Sequence, residues 1–450
     1  MSGTDAFAHE NKLPNDLVAL RGMTQRRRRG TGRRITGRRT TGRRLSGGMG
    51  GAPRYSRREA FALGGLAAAG LGLAACGAGT GHAVSSRPPQ SAAEKFWAGQ
   101  KKHGQVNFAN WPLYIDPDHE TLTMFTAATG VTVNYAEVIQ DDSSWFAKID
   151  PIIRTGESIG YDVMVVTDEF EFFDLVALGE LIPLDQSMLP NFRTYASQKF
   201  QHRSFDPGNL YSIPWASGST GIAWNPKYIT TPVTSIDELW NPAYQGRVGM
   251  MSDIQDIGNF GMIKLGINPE TSTPADWRAA AATLTAQRKA GVVRQYYQQS
   301  YIDALTSGET WISMAWSGDI FQQNLSSGTD LQFVVPKEGG TIWTDNMMIP
   351  KYAPNPVDAM LLMDWYYRPE IAAILTEAIN YISAVPAAQS VIASDARKAR
   401  GSNKQLLTEV ATSPLVWPSA AVYDRLHDYV DVSGKLEVEY KSIFDPVVAG

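Results

Sequence analysis

The chain has 450 residues, 43% of them hydrophobic, with 41 Lys and Arg against 45 Asp and Glu, one cysteine and a formal net charge of −4. A single cysteine excludes an internal disulfide, and the six scattered histidines, with no His-Glu-x-x-His and no phosphate-cradling glycine loop, give no support to zinc hydrolase or nucleotide chemistry. The charge is unevenly placed: residues 1–75 carry 15 of the bases and 4 of the acids, which leaves 26 bases against 41 acids from Cys76 onward, a net charge of −15. That field attracts cations and repels nucleic acid, although solubility is by itself a sufficient reason for an acidic body.

From the N-terminus, Arg26 to Arg44 repeats paired arginines spaced by Gly and Thr. Such a run suits a phosphate backbone, but it has no apolar periodicity and lies upstream of a signal with which it would be removed. Arg57 and Arg58 precede an apolar, small-residue run at 61–75, too short and too glycine-rich for a membrane span. The twin arginine followed by Glu-Ala-Phe resembles a Tat export signal. Leu73-Ala74-Ala75-Cys76 resembles a lipobox, where cleavage before Cys76 frees the thiol to take a lipid. The plainer alternative is an inert Cys76 at the end of a short apolar helix. The expectation is an exported protein, lipid-anchored at the outer face of the cell membrane or in the periplasm. A leader of ordinary length begins at Met49, so Met1, Met23 and Met49 all stand as candidate starts. Residues 76–94, small, polar and Pro-containing, read as a flexible tether.

The body from about Lys95 onward suits two lobes rather than one small core. A strand is predicted over 105–109, a helix over 117–129 stopped by Gly130, and a strand over 131–137. The stretch 143–154 is helical in composition, with Pro151 expected to kink or shorten it. Residues 161–166, Tyr-Asp-Val-Met-Val-Val, form the continuous apolar run of a buried parallel strand, and a helix follows over 169–177. Further strands are predicted over 221–224 and 311–316, and helices over 257–265, 274–289, 318–325, 356–367 and 369–378, before a turn at Pro386. Strand and helix alternate, as in an α/β architecture. The run Ser217-Gly218-Ser219-Thr220-Gly221 reads as a glycine-rich crossing between lobes, and the cleft between lobes is a natural small-molecule site. There is no internal repeat and no later apolar run of membrane-spanning length.

Several runs, in order, resemble the polyamine-binding proteins of ABC importers, the spermidine and putrescine receptors of the type II periplasmic-binding-protein fold. They are Asn110-Trp111-Pro112-Leu113-Tyr114, 161–166, Tyr211-Ser212-Ile213-Pro214, Leu239-Trp240-Asn241-Pro242 with Gly246-Arg247-Val248, and Ser313-Met314-Ala315-Trp316-Ser317-Gly318. Then follow Pro336-Lys337-Glu338-Gly339-Gly340, Ile342-Trp343-Thr344-Asp345, Arg368-Pro369-Glu370-Ile371-Ala372 and Asn380-Tyr381. The resemblance implies an α/β fold of two lobes, 95–220 with 346–400 and 221–345 with 401–450, and a linear polyamine held in the cleft between them. It implies aromatic walls from Trp111, Tyr114, Trp316, Trp343 and Tyr381, and acids from Asp253, Asp256 and Asp345. It implies a non-enzymatic monomer with no cofactor or metal and no nucleic-acid partner, delivering its ligand to a membrane permease. The sequence departs from the family's pattern at Pro112, where a Thr hydroxyl is lost. It departs again at Thr167 and Glu169, where the family offers a Ser and an aromatic, and at about Lys441, where a cation replaces a polar residue. Glu169 adds a carboxylate for an amine or only begins a helix.

Other readings of the same residues remain open. Any one of the 12 tryptophans, taken alone, is more often a packing residue than a binding one. Trp343 and Asp345 stand apart because, two residues apart in an extended segment, they share one side of the chain. Asp253 and Asp256 are placed to cap the next helix. The rivals in function are an exported carboxylate-dependent glycoside hydrolase and a binding protein for a ferric ion or a sugar. Of the adjacent tyrosine pairs, Tyr296-Tyr297 is the candidate for a ferric ion, and Tyr366-Tyr367, in a helix, reads as packing.

Overall fold

The structure is a computed structural model that describes residues 90–449. Arg57, Arg58, Cys76 and most of the expected tether lie outside the described residues. The last part of that tether is helical: Gln90–Ala98, rich in good helix formers, is held to the body by the Trp97 indole, which donates to the Pro183 carbonyl at 2.8 Å.

Ten strands share one sheet: β1 Gln105–Asn110, β2 Thr132–Glu137, β3 Val163–Thr167, β4 Ser212–Trp224, β5 Val248–Met251, β6 Val293–Tyr297, β7 Ile312–Trp316, β8 Gln332–Val334, β9 Gly340–Met348 and β10 Leu426–His427. The order is β2-β1-β3-β9-β4-β7-β5-β6, with β10 added to β9 and β8 to β4. The sheet has two parallel ends, β2-β1-β3 and β7-β5-β6. They are joined by β9 and β4, which run antiparallel to their neighbours in the path. Parallel strands need helical crossovers that cover both faces, and the inner strands β3, β5 and β7 are accordingly near-continuous apolar runs, whereas β1, β2 and β6 carry polar residues. All five residues of β3 are buried.

Two apolar cores result. One gathers Trp145, Ile149, Met164, Val166, Phe172 and Phe205; the other gathers Ile222, Met250, Phe260, Trp277, Met314 and Phe444. Phe170, which follows β3, is buried in the second core although its strand belongs to the first, and its ring meets Tyr440 edge-on at 5.8 Å. The helix Asp142–Arg154 runs through Pro151.

The expected crossing at 217–221 is not a loop. β4 continues through it for 13 buried residues. Its glycines serve close approach rather than a turn: a β-carbon on Gly218 would overlap the Trp343 ring, and one on Gly221 would overlap Phe333 and the Val334 carbonyl.

Candidate functional site

In open α/β sheets, ligand-binding side chains collect where parallel strands end, and the site here follows that rule. β1 ends before Trp111 and Tyr114, β3 ends at Thr167 just ahead of Glu169, β5 ends ahead of Asp253 and Asp256, and β7 ends at Trp316. The remaining residues come from β9, where Trp343 and Asp345 lie on one face, opposite Gly218 and Ala216 of β4. Asp345 is also opposite Thr167 of β3. Tyr381 follows the helix Pro369–Ile379 and lies on Gly318, where a β-carbon would occupy the space of its ring.

These side chains form a line of rings in edge-to-face contact. Ring centroids are 6.3 Å apart for Trp316 and Trp343, 5.5 Å for Trp343 and Tyr381, and 5.8 Å for Tyr381 and Tyr114. Three of the four rings present their polar end to a carboxylate. The Trp316 indole donates to Asp256 Oδ2 at 3.0 Å, the Tyr381 hydroxyl to Asp319 Oδ1 at 2.9 Å, and the Tyr114 hydroxyl to Asp345 Oδ2 at 2.5 Å. The Thr167 hydroxyl occupies Asp345 Oδ1 at 2.8 Å. Two polar atoms are left over: Asp256 Oδ1 and Trp343 Nε1 are buried with no hydrogen-bond partner among the described residues. Trp111 stands outside the line, its indole donating to the Val165 carbonyl of β3 at 3.1 Å.

Asp256 and Asp345 are buried, Glu169, Asp253 and Asp319 partly so, and all are short of counter-charge. Burial, with repulsion from Asp253, pushes Asp256 up to about 7, and burial pushes Asp345 up to about 6 against the stabilising hydroxyls of Tyr114 and Thr167. Burial also raises Asp253, Glu169 and Asp319. Asp253 caps the helix Ile254–Lys264 by accepting from the Asp256 N–H at 2.7 Å, whereas Asp256 turns inward to the indole. Glu169 occupies the cap position of the helix Phe170–Ala177 but makes no capping hydrogen bond; Asp253 is the neighbour that most strongly repels it. Among the described residues no Lys or Arg forms an ion pair with Glu169, Asp253, Asp256, Asp319 or Asp345; the nearby cations are engaged elsewhere, Arg203 with Asp168 and Asp428 and Lys441 with Glu437.

Sequence reasoning missed Asp319, which takes both the Tyr301 and the Tyr381 hydroxyls. Its one local sign is its place three residues after Trp316. It also missed Asp142 and Glu171, which stand at helix starts where acids are routine. The tyrosine pairs differ in use: Tyr366 and Tyr367 are buried core residues, the latter donating to the Pro214 carbonyl, and Tyr296-Tyr297 ends the edge strand β6, with Tyr297 opposite Met251 of β5. The one Gly-x-Ser-x-Gly run, Gly156 to Gly160, is an exposed turn leading from a helix into β3, the reverse of the strand-to-helix elbow that a hydrolase needs. Among the described residues no group of three or more His, Cys, Asp or Glu is placed to hold a metal ion.

Because Trp343 rests directly on the β4 backbone, Gly218→Ala is expected to displace the ring and cost about 1–3 kcal/mol of stability, as overpacking does. Urea unfolding, with near-UV circular dichroism reporting the aromatic line, checks this; an unchanged spectrum would mean that the ring is free to move aside.

The fold is that of a two-lobed α/β solute-binding protein, within which these rings and acids are gathered. The chain belongs to the bacterial extracellular solute-binding proteins, whose family model matches residues 120–401. It is 28% identical to the spermidine/putrescine-binding periplasmic protein of Salmonella typhimurium over 344 residues, 76% of this chain and 91% of that protein. It is 29% identical to the Escherichia coli protein of the same description, with the same coverage. Identity to a putrescine-binding periplasmic protein of Pseudomonas aeruginosa is 28%, over 73% of this chain and 87% of that one. Among solved structures, the spermidine/putrescine ABC transporter substrate-binding protein PotD of Streptococcus pneumoniae shares the fold with a TM-score of 0.64 at 23% identity, covering 76% of this chain and 98% of that one. A PotD lipoprotein of Treponema pallidum gives a TM-score of 0.62 at 20% identity, covering 76% of this chain and 99% of that one.

Proposed function

We propose that this protein is the substrate-binding component of an ABC importer, capturing polyamines of the spermidine and putrescine class outside the cell and passing them to a membrane permease. The observation that carries the reading is the line of four rings, three of which turn their polar ends to carboxylates that have no basic partner. A polyamine supplies what is missing: methylenes to lie on the rings and ammonium groups for the acids. An ammonium over an aromatic face gains about 0.5–2 kcal/mol and a charge-assisted hydrogen bond about 1.5–3 kcal/mol. A micromolar site needs about 8 kcal/mol net, so a few such contacts with methylene burial suffice. The names of the relatives point the same way. In this reading Trp111, Tyr114, Thr167, Glu169, Asp253, Asp256, Trp316, Trp343, Asp345 and Tyr381 are the ligand-binding residues, with Asp319 holding Tyr381 in place.

The rest of the reading is that the protein binds without transforming its ligand, works as a monomer, and is exported by Arg57 and Arg58 and tethered by lipid on Cys76. The lobes are 95–220 with 346–400 and 221–345 with the C-terminal segment. The helix Gly401–Thr412 is better assigned to the first lobe, since Gln389 of the preceding helix donates to its Ala411 carbonyl at 2.9 Å. Among the described residues no helix is long and apolar enough to cross a membrane, so attachment falls to the leader. Cys76→Ser is expected to shift the protein from the membrane pellet to the soluble fraction on cell fractionation; continued sedimentation with membranes would remove the lipid anchor from the reading. The ligand class is tested by thermal shift against putrescine, spermidine, a sugar panel and ferric ion, with a rise of several degrees expected for the polyamines alone. A rise with a sugar or ferric ion alone would favour the rival binding proteins.

A further inference from the structure

Beside the line of rings, a second group of acids sits where two helices begin. Asp142 opens the helix Asp142–Arg154, but the cap is its neighbour Asp141, whose side chain accepts from the Ser144 N–H. Asp142 is therefore not needed for capping, and it is nonetheless only 7% exposed, with Oδ1 buried and without a hydrogen-bond partner among the described residues. Glu171, 6% exposed, lies in the first turn of the helix Phe170–Ala177 and accepts from the Ser143 hydroxyl at 2.5 Å, which holds the two helix starts together. Burial raises Asp142 against the stabilising hydrogen bonds of Thr167, and repulsion from Asp345 and Glu171 adds to the rise. Thr167 neighbours both Asp345 and Asp142 and so joins this corner to the site.

We propose that Asp142 and Glu171 form a further ammonium subsite of the cleft, so that the preferred ligand carries three or more cationic nitrogens rather than two. The proposal rests on the polyamine reading. A diamine whose two ends meet Asp256 and Asp345 leaves the buried Asp142 and Glu171 facing one another without a cation, the arrangement that a low-dielectric interior penalises most. A third ammonium relieves it, and its several N–H donors suit the vacant Asp142 oxygen. Local basic groups do not fill this role. Lys441 feels the charge of Glu171, but its ammonium is ion-paired with Glu437, lies 4.6 Å from the Phe170 ring centroid and also serves Asp174. A helix N-terminus favours an acid, yet that field is available equally to an exposed side chain and does not account for burial beside two other carboxylates.

The test is calorimetric titration of the full chain, and of Asp142→Asn and Glu171→Gln, with putrescine and spermidine. The wild type is expected to bind spermidine at least tenfold more tightly than putrescine. Each variant should lose tenfold or more for spermidine and stay within twofold for putrescine, with melting temperatures of the unliganded variants confirming that they fold. Should one variant not fold, the other decides. Equal losses for both ligands, or none, would overturn the subsite and leave the polyamine reading standing. A wild type that binds neither amine would remove both.

Discussion

Asp345→Asn is expected to weaken binding of spermidine and putrescine by roughly 10- to 150-fold, about 1.5–3 kcal/mol, the range of a hydrogen bond to a charged group. Asp345 is central in β9, with Thr167 and Ala216 opposite it in the neighbouring strands, and its two oxygens already accept from Tyr114 and Thr167. These neutral donors orient the carboxylate and leave its charge unopposed. The amide keeps the shape and an acceptor oxygen but has no charge to offer an ammonium. Stability of the unliganded protein should not fall, because at neutral pH burial disfavours the ionised carboxylate in the fold. A melting temperature unchanged or slightly raised, with the affinity loss seen by calorimetry, is the expected pair of results. A variant that does not fold would make Asp345 a structural residue instead.

Affinity is expected to fall about 10- to 1000-fold between pH 7.5 and pH 5. Asp256 titrates at about 7 and Asp345 at about 6 in the folded protein, both above the ordinary carboxylate value of 3.8. The direction for stability follows from the raised values: between about pH 4 and 7 the folded state holds protons that the unfolded chain releases. Stability of the unliganded protein therefore declines as pH rises through that window and levels off above it. Asp174 and Glu180, raised to about 6 and about 7 by burial, push the same way from outside the site, so the stability curve alone does not single out the cleft. Binding does. An ammonium requires the ionised acids, so below pH 7 the ligand must first displace protons from Asp256 and Asp345, and its affinity drops accordingly. Titration at pH 5, 6 and 7.5 should show this slope, flattened in Asp256→Asn. A flat wild-type profile would mean that neither acid meets the cation.

Much of the site was legible because its residues follow apolar runs. The buried strand at Val163–Thr167 announces itself as Val-Met-Val-Val, and the residues after it are then candidates for a cleft. The alternation that places Trp343 and Asp345 on one face is local and survives in β9. What was not legible depends on distance in sequence. Ser217-Gly218-Ser219-Thr220-Gly221 has the composition of a loop, and only the Trp343 and Phe333 rings, more than a hundred residues away, explain why small residues are needed inside a strand. Asp253 and Asp256 look alike in sequence, and both suit a helix start. The structure gives the first to the cap and the second to the Trp316 indole. Asp142 and Glu171 carry no local mark, since an acid in the first turn of a helix is ordinary, and Asp319 is marked only by its place three residues after Trp316.

The most direct test of the account is calorimetric titration of the full chain with putrescine, spermidine, a sugar panel and ferric ion. A single polyamine site of micromolar or tighter affinity, with no heat from sugars or ferric ion, is the predicted result; no polyamine binding at millimolar concentration would contradict it.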